Sequence, residues 1–298
     1  MTAVTAVSDV SNNADAQRAE IAPADRQHRR LHDLGPRIAS ALVLAPAAIG
    51  AAIAGGPWIA AACGGACVAM SYEWTRMSEP GSRRWAFFWC LLGVFGAVLA
   101  ASWGEAGGAF GWLGACGAAS AVRRRTLRGV LETFLGVLYV GAPCALFLLL
   151  RGHNPGGREA ILGMFVIIWT TDAAAYFAGS LIGGPRVSRR LSPNKTWSGL
   201  VFGTLAGLGA GLGCAALFHG PAFLWAVAGA AIGAVGLIGD LFESLLKRRF
   251  GVKDASGLIP GHGGFLDRLD GMMLATVLAS IALWAAPDLM ATLLGQRP

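Results

Sequence analysis

Apolar runs separated by short polar breaks occupy almost all of this chain after its first three dozen residues. They fall at about 37–54, 57–72, 86–103, 107–121, 128–150, 160–182, 199–218, 222–243 and 271–294. A bilayer core takes roughly 20 residues of helix, a length that the second and fourth runs fall short of. In lipid an unpaired backbone amide finds no water, so a run that crosses must satisfy its own hydrogen bonds, and a helix does this. Only 14% of residues are charged, against about a quarter in soluble chains. The expectation is an all-α polytopic integral membrane bundle of about nine transmembrane helices. Such a bundle is one packing unit, so residues 36–298 read as a single transmembrane domain. Residues 1–35 are polar, with no apolar run, and read as a disordered cytoplasmic tail and not as a secretory signal.

The basic residues test the count of spans. If the N-terminus is cytoplasmic and each run crosses once, 21 of the 24 Lys and Arg residues fall on the cytoplasmic side. Only Arg151, Arg158 and Arg297 fall on the other side. The positive-inside rule predicts this asymmetry, and a miscounted span would scramble it. The odd number of crossings leaves the C-terminus outside and puts residues 244–270 in the cytoplasm. The net charge of +7 is thus spread among the breaks and not gathered on one soluble face. It points to membrane lipid headgroups and a nucleotide's phosphates as partners, with no nucleic acid.

Six cysteines lie inside apolar segments, with no C-x-x-C pair and no histidine at metal spacing. They read as small buried hydrophobes. Gly199, Gly203, Gly207 and Gly211 recur every four residues in the seventh run. Such a stripe lets another helix approach closely, so it reads as packing.

Residues 244–270 hold most of the chemistry. Lys247, Arg248, Arg249 and Lys253 precede the turn Pro260-Gly261-His262-Gly263-Gly264, and Asp254, Asp267 and Asp270 flank it. Asp240 lies four residues before Ser244, and Asp267 three before Asp270, spacings that put two side chains on one helical face. A carboxylate at the centre of a membrane helix costs about 2.5–3.5 kcal/mol, so each one needs a reason. Glu132 and Glu243 are expected to pair with nearby arginines. Asp240 and Asp172 are expected to contact a metal or substrate, with polar glue between helices as the alternative. A single aspartate at a helix start is explained by the helix dipole, worth about 0.3–1 kcal/mol. Two at i and i+3, with Asp240 available from the preceding span, favour Mg²⁺ held by carboxylates and phosphate oxygens, with a second cation as an option. Lys247, Arg248 and Lys253 alone would be an ordinary cytoplasmic basic run; beside a metal they become neutralisers of a triphosphate. Arg268 would orient the aspartates around it. His262 suits holding the turn as well as touching a phosphate. Ser192 and Lys195, in the loop 192–199, are candidate substrate contacts, of which Lys195 could reach either a lipid phosphate or a nucleotide, and Trp197 reads as an interfacial anchor.

The order of these residues resembles a known signature. Ser244, two residues, Lys247-Arg248, four residues, Lys253-Asp254, then Pro260-x-His262-Gly263-Gly264-x-x-Asp267-Arg268-x-Asp270 is similar to that of the phosphatidate cytidylyltransferases, the CDP-diacylglycerol synthases. A second block, Asp172 with Ala175-Tyr176-Phe177-Ala178-Gly179 and then 192–199, resembles the family's upstream elements. There Asn194 stands where lysine is common and Ser198 where glutamate is common, so no role carries over to those two positions. The resemblance spans about 160–275. It implies a Mg²⁺-dependent nucleotidyltransferase of phospholipid synthesis, taking CTP and phosphatidate at the cytoplasmic face of the inner (plasma) membrane. Its metal-binding aspartates match Asp240, Asp267 and Asp270, and a functional serine matches Ser244. Asp254 falls on a motif position without an assigned role, and a homodimer is implied. The rival reading from the residues is an ion-coupled transporter in which buried Asp172 and Asp240 bind a cation. Another Mg²⁺ membrane enzyme, a CDP-alcohol phosphotransferase, would open its motif with Asp-Gly-x-x-Ala-Arg, which is absent.

Overall fold

The structure, a computed structural model, describes residues 39–78, 83–152, 156–188, 191–259 and 263–295. The expected tail at 1–35 lies outside the described residues, and so does His262.

Each apolar run forms a helix. In chain order these are α1 (Ala39–Ala54), α2 (Gly56–Ser78), α3 (Arg83–Ser102), α4 (Ala106–Ala121), α5 (Leu127–Gly152), α6 (Gly157–Leu181), α7 (Trp197–Phe218), α8 (Ala222–Arg249) and α9 (Leu266–Ala285). A short α10 (Leu289–Leu293) follows. Six of them (α3 and α5–α9) are long and apolar enough to cross a membrane. Large side chains such as Trp58, Phe223 and Trp284 lie exposed on the outside of the bundle, which suits a lipid surround better than water. The protein is an all-α multi-pass membrane bundle. Among the described residues the one sheet is an antiparallel hairpin, β1 (Arg186–Ser188) with β2 (Ser192–Thr196), where the sequence had suggested a loop.

Several helix ends depart from the predicted spans, those of α2, α8 and α9 by the most. α8 runs on to Arg249; at 1.5 Å per residue its 28 residues reach about 42 Å, longer than a hydrocarbon core of about 30 Å. Ser244, Lys247 and Arg248 therefore ride on a helix that outlasts the apolar layer. α9 starts at Leu266 and stops at Ala285, two residues before Pro287, which cannot continue it.

α2–α5 pack on one another, α7 packs between α6 and α8, and α9 lies along α8 and reaches α5 and α6. The glycine stripe works as expected. A Cβ on Gly207 would sit 2.8 Å from the Gly229 carbonyl oxygen of α8, and one on Gly199 would sit 2.8 Å from that of Ala175 on α6. The stripe is consumed within the chain and offers no face to a second copy. A second close crossing joins α8 to α9, where a Cβ on Gly239 would lie 2.6 Å from the Asp270 carbonyl oxygen. The six cysteines are free, and all but Cys63 are fully buried.

Candidate active site

The glycine crossing of α8 and α9 is what assembles the site. It lets the backbones nearly touch at Gly236, Gly239 and Gly271, so Asp240 and Asp270, each next to a crossing glycine, border the same space. That space is a polar cavity of about 1000 Å³, lined from α6 by Asp172, from the hairpin by Ser192 and Lys195, from α8 by Asp240 and Lys247, from the following loop by Asp254, and from α9 by Asp267, Arg268 and Asp270. Nine of the thirteen residues singled out from the sequence thus share one cavity.

The cations in it hold carboxylates. Lys195 Nζ is 2.5 Å from Asp240 Oδ2, and Lys247 Nζ donates to Asp267 Oδ1 at 2.5 Å. Asp267 Oδ2 accepts from the Gly264 N–H at 2.9 Å, and Asp270 Oδ1 from the Gly271 N–H at 2.7 Å. The turn before α9 closes through the Ile259 N–H donating to the Gly263 carbonyl at 2.9 Å. Gly263 takes φ +82°, a left-handed conformation that glycine adopts without strain. At the other end of the hairpin, Thr196 caps α7 by accepting from the Gly199 N–H at 3.1 Å.

Three described candidates stand apart from this cavity. Ser244 is half-buried one turn from Asp240 but does not border it, and Arg248 and Lys253 are exposed. His262 lies outside the described residues. Glu132 pairs with arginines as expected, with Arg128 at 2.9 Å and Arg249 at 2.7 Å. Glu243 does not. It is 1% exposed, its nearest cation is Lys247 at 3.7 Å, and neither carboxylate oxygen has a hydrogen-bond partner. Its side chain is buried inside the bundle beside Lys247, away from the surface where an arginine head could stay wet.

Two contributors were missed in the sequence. Glu243 was set aside as a surface partner, although an acid between Gly239 and Lys247 on an apolar helix was itself the signal. Glu73 of α2 accepts hydrogen bonds from Ser256 and from the backbone at the start of α9. No local pattern marks it, because its partners lie at the other end of the chain.

Residues 35–286 match the model of the cytidylyltransferase family. The chain is 39% identical to the phosphatidate cytidylyltransferase of Brucella suis biovar 1 (strain 1330) over 227 residues, which cover 74% of this chain and 83% of that protein. Over 143 residues it is 38% identical to the phosphatidate cytidylyltransferase of Pseudomonas aeruginosa, covering 47% of this chain and 52% of the relative. With that of Staphylococcus aureus (strain COL) it shares 36% identity over 151 residues, 50% of this chain and 57% of the relative.

Proposed function

The chain belongs to the cytidylyltransferase family, and from that premise we propose that it converts CTP and phosphatidate into CDP-diacylglycerol and pyrophosphate. The observation that carries the reading is the gathering of aspartates and lysines from α6, the hairpin, α8 and α9 around one polar cavity in an otherwise apolar bundle. A phosphate oxygen of phosphatidate attacks the α-phosphorus of CTP, and the bond to the bridging oxygen of the β-phosphate breaks to release pyrophosphate. A phosphate monoester is already anionic, so no strong general base is required. Lys195, Lys247 and Arg268 supply positive charge where the triphosphate's charge must be held, and positioning with electrostatics dominates such transfers.

Mg²⁺ belongs to the same proposal. Among the described residues no three His, Cys, Asp or Glu side chains form a cage for a metal. Mg²⁺ does not require one, since it keeps waters and takes one or two carboxylates together with substrate phosphate oxygens. Asp240, Asp267 and Asp270 suit an ion that arrives with the nucleotide. When bound, the ion would draw charge off the phosphate oxygens.

The basic-residue asymmetry supports nine crossings with the N-terminus and the cavity facing the cytoplasm of the inner membrane. A carrier would hold its acids near the bilayer midplane, whereas Asp267 sits in the first turn of α9 and Lys247 in the last turn of α8. The homodimer implied by the resemblance is checked by light scattering of the purified protein. The decisive assay supplies phosphatidate, Mg²⁺ and labelled CTP to purified protein. CDP-diacylglycerol and pyrophosphate should form, chelation should stop the reaction, and added Mg²⁺ should restore it. The absence of turnover in every detergent and lipid mixture overturns the reading.

A further inference from the structure

Among the described residues two carboxylates are fully withdrawn from solvent, Glu243 and Glu73. Glu73 lies near the end of α2, on the opposite side of the sequence from the signature, and is 0% exposed. Its Oε1 accepts from the Ser256 hydroxyl and, at 2.9 Å, from the Phe265 N–H; its Oε2 accepts from the Leu266 N–H at 2.8 Å. Phe265 and Leu266 are the entry to α9, a helix that has no side-chain cap on its N-cap residue. The first N–H groups of a helix have no partner within it, and here a carboxylate from another helix takes two of them.

The rest of the neighbourhood is built around this contact. A Cβ on Gly264 would lie 2.8 Å from both Glu73 oxygens, so only glycine lets the carboxylate in. The next residue of α2, Trp74, packs edge-on against Phe250, ring centroids 5.6 Å apart. Adjacent residues of α2 therefore grip the loop at its beginning and at its end. A helix start needs no such device, because a serine or asparagine at the N-cap would do. Burying a carboxylate is costly unless hydrogen bonds offset it. A charge brought from a distant helix adds something a local cap cannot, a fixed height and rotation of α9 relative to the bundle. Asp267 and Asp270 project from the first turns of that helix.

We propose that Glu73 is a positioning residue for the transfer. It touches no substrate; it anchors the first turn of α9 so that Asp267 and Asp270 face the cavity. This rests on the function proposed above. A displacement of about 1 Å from reacting geometry can cost on the order of 100-fold in rate.

Glu73→Gln keeps the volume, removes the charge and points N–H donors at a place already crowded with donors. We expect kcat to fall about 100-fold with the KM for phosphatidate within about twofold. Hydrogen exchange should show the Phe265 and Leu266 amides exchanging at least about tenfold faster, with amides of α7 unchanged. Wild-type kcat with wild-type exchange would overturn the assignment, and so would faster exchange throughout the bundle, which marks a general structural loss. If that variant does not fold, Gly264→Ala carries the test: its methyl displaces the carboxylate without altering charge, and kcat should fall about tenfold with phosphatidate KM kept. Normal turnover in Gly264→Ala refutes the idea. A wild-type protein inert toward CTP and phosphatidate would sink the parent reading instead, while exchange at Phe265 and Leu266 in Glu73→Gln still decides whether Glu73 holds the helix.

Discussion

Lys247 carries two carboxylates at once, and removing it should reveal how dry the site is. Its Nζ lies 2.5 Å from Asp267 Oδ1 and 3.7 Å from Glu243 Oε1. The three side chains are 14%, 11% and 1% exposed, so water screens them little. An exposed pair would be worth about 0.2–1 kcal/mol, whereas stripping the partner from a buried charge costs about 3–5 kcal/mol. Lys247→Met keeps the aliphatic stem and removes the charge. Asp267 would still hold the Gly264 N–H at 2.9 Å, a bond worth about 1.5–3 kcal/mol to a charged acceptor. That places the expected loss at the lower end, about 3 kcal/mol. Asp267→Asn alone leaves Lys247 with Glu243 and should cost about 1.5 kcal/mol. The double variant leaves only Glu243 unpaired and should be no worse than Lys247→Met, a coupling of about 1.5 kcal/mol. Equilibrium unfolding in mixed micelles, followed by tryptophan fluorescence, measures all four corners. Costs that add within about 0.5 kcal/mol would mean the pair is no stronger than a surface one, and the argument from burial would fail.

Asp240→Asn and Asp270→Asn should each lower turnover by about 100-fold or more while leaving folded, membrane-inserted protein; near-normal activity in either removes that residue from the metal set. Lys195→Ala should raise the KM for one substrate about tenfold, the equivalent of one charge-assisted hydrogen bond, and unchanged kinetics would return Lys195 to a purely topological role. Gly239→Ala places a methyl 2.6 Å from the Asp270 carbonyl and should cost about 1–3 kcal/mol of stability. Gly209→Ala, with nothing within 4 Å of its new methyl, should cost none, and equal losses in the same unfolding assay would refute the crossing as the cause.

What could be read in the sequence, and what could not, follows from how far each constraint reaches along the chain. A bilayer imposes its thickness on every span separately, so the helices were legible one at a time and went astray only at their ends. α8 overruns its apolar run because nothing at residue 243 stops a helix, and α9 ends early because Pro287 does. Asp240, Asp267 and Asp270 stand at short, regular spacing on two neighbouring helices, so the group could be read from the sequence. The groups that hold them are under no such rule. An acceptor for the amides of Phe265 and Leu266 can be lent by whichever helix passes nearby, and here it is α2, 192 residues before Phe265 in the chain. Glu243 was visible but misjudged, since helical spacing alone does not say which side of a membrane helix is wet. A signature therefore records residues at fixed local spacing. The contacts that hold them in place, the glycine crossing of α8 on α9 and a buried acid on α2, are contained in no local pattern.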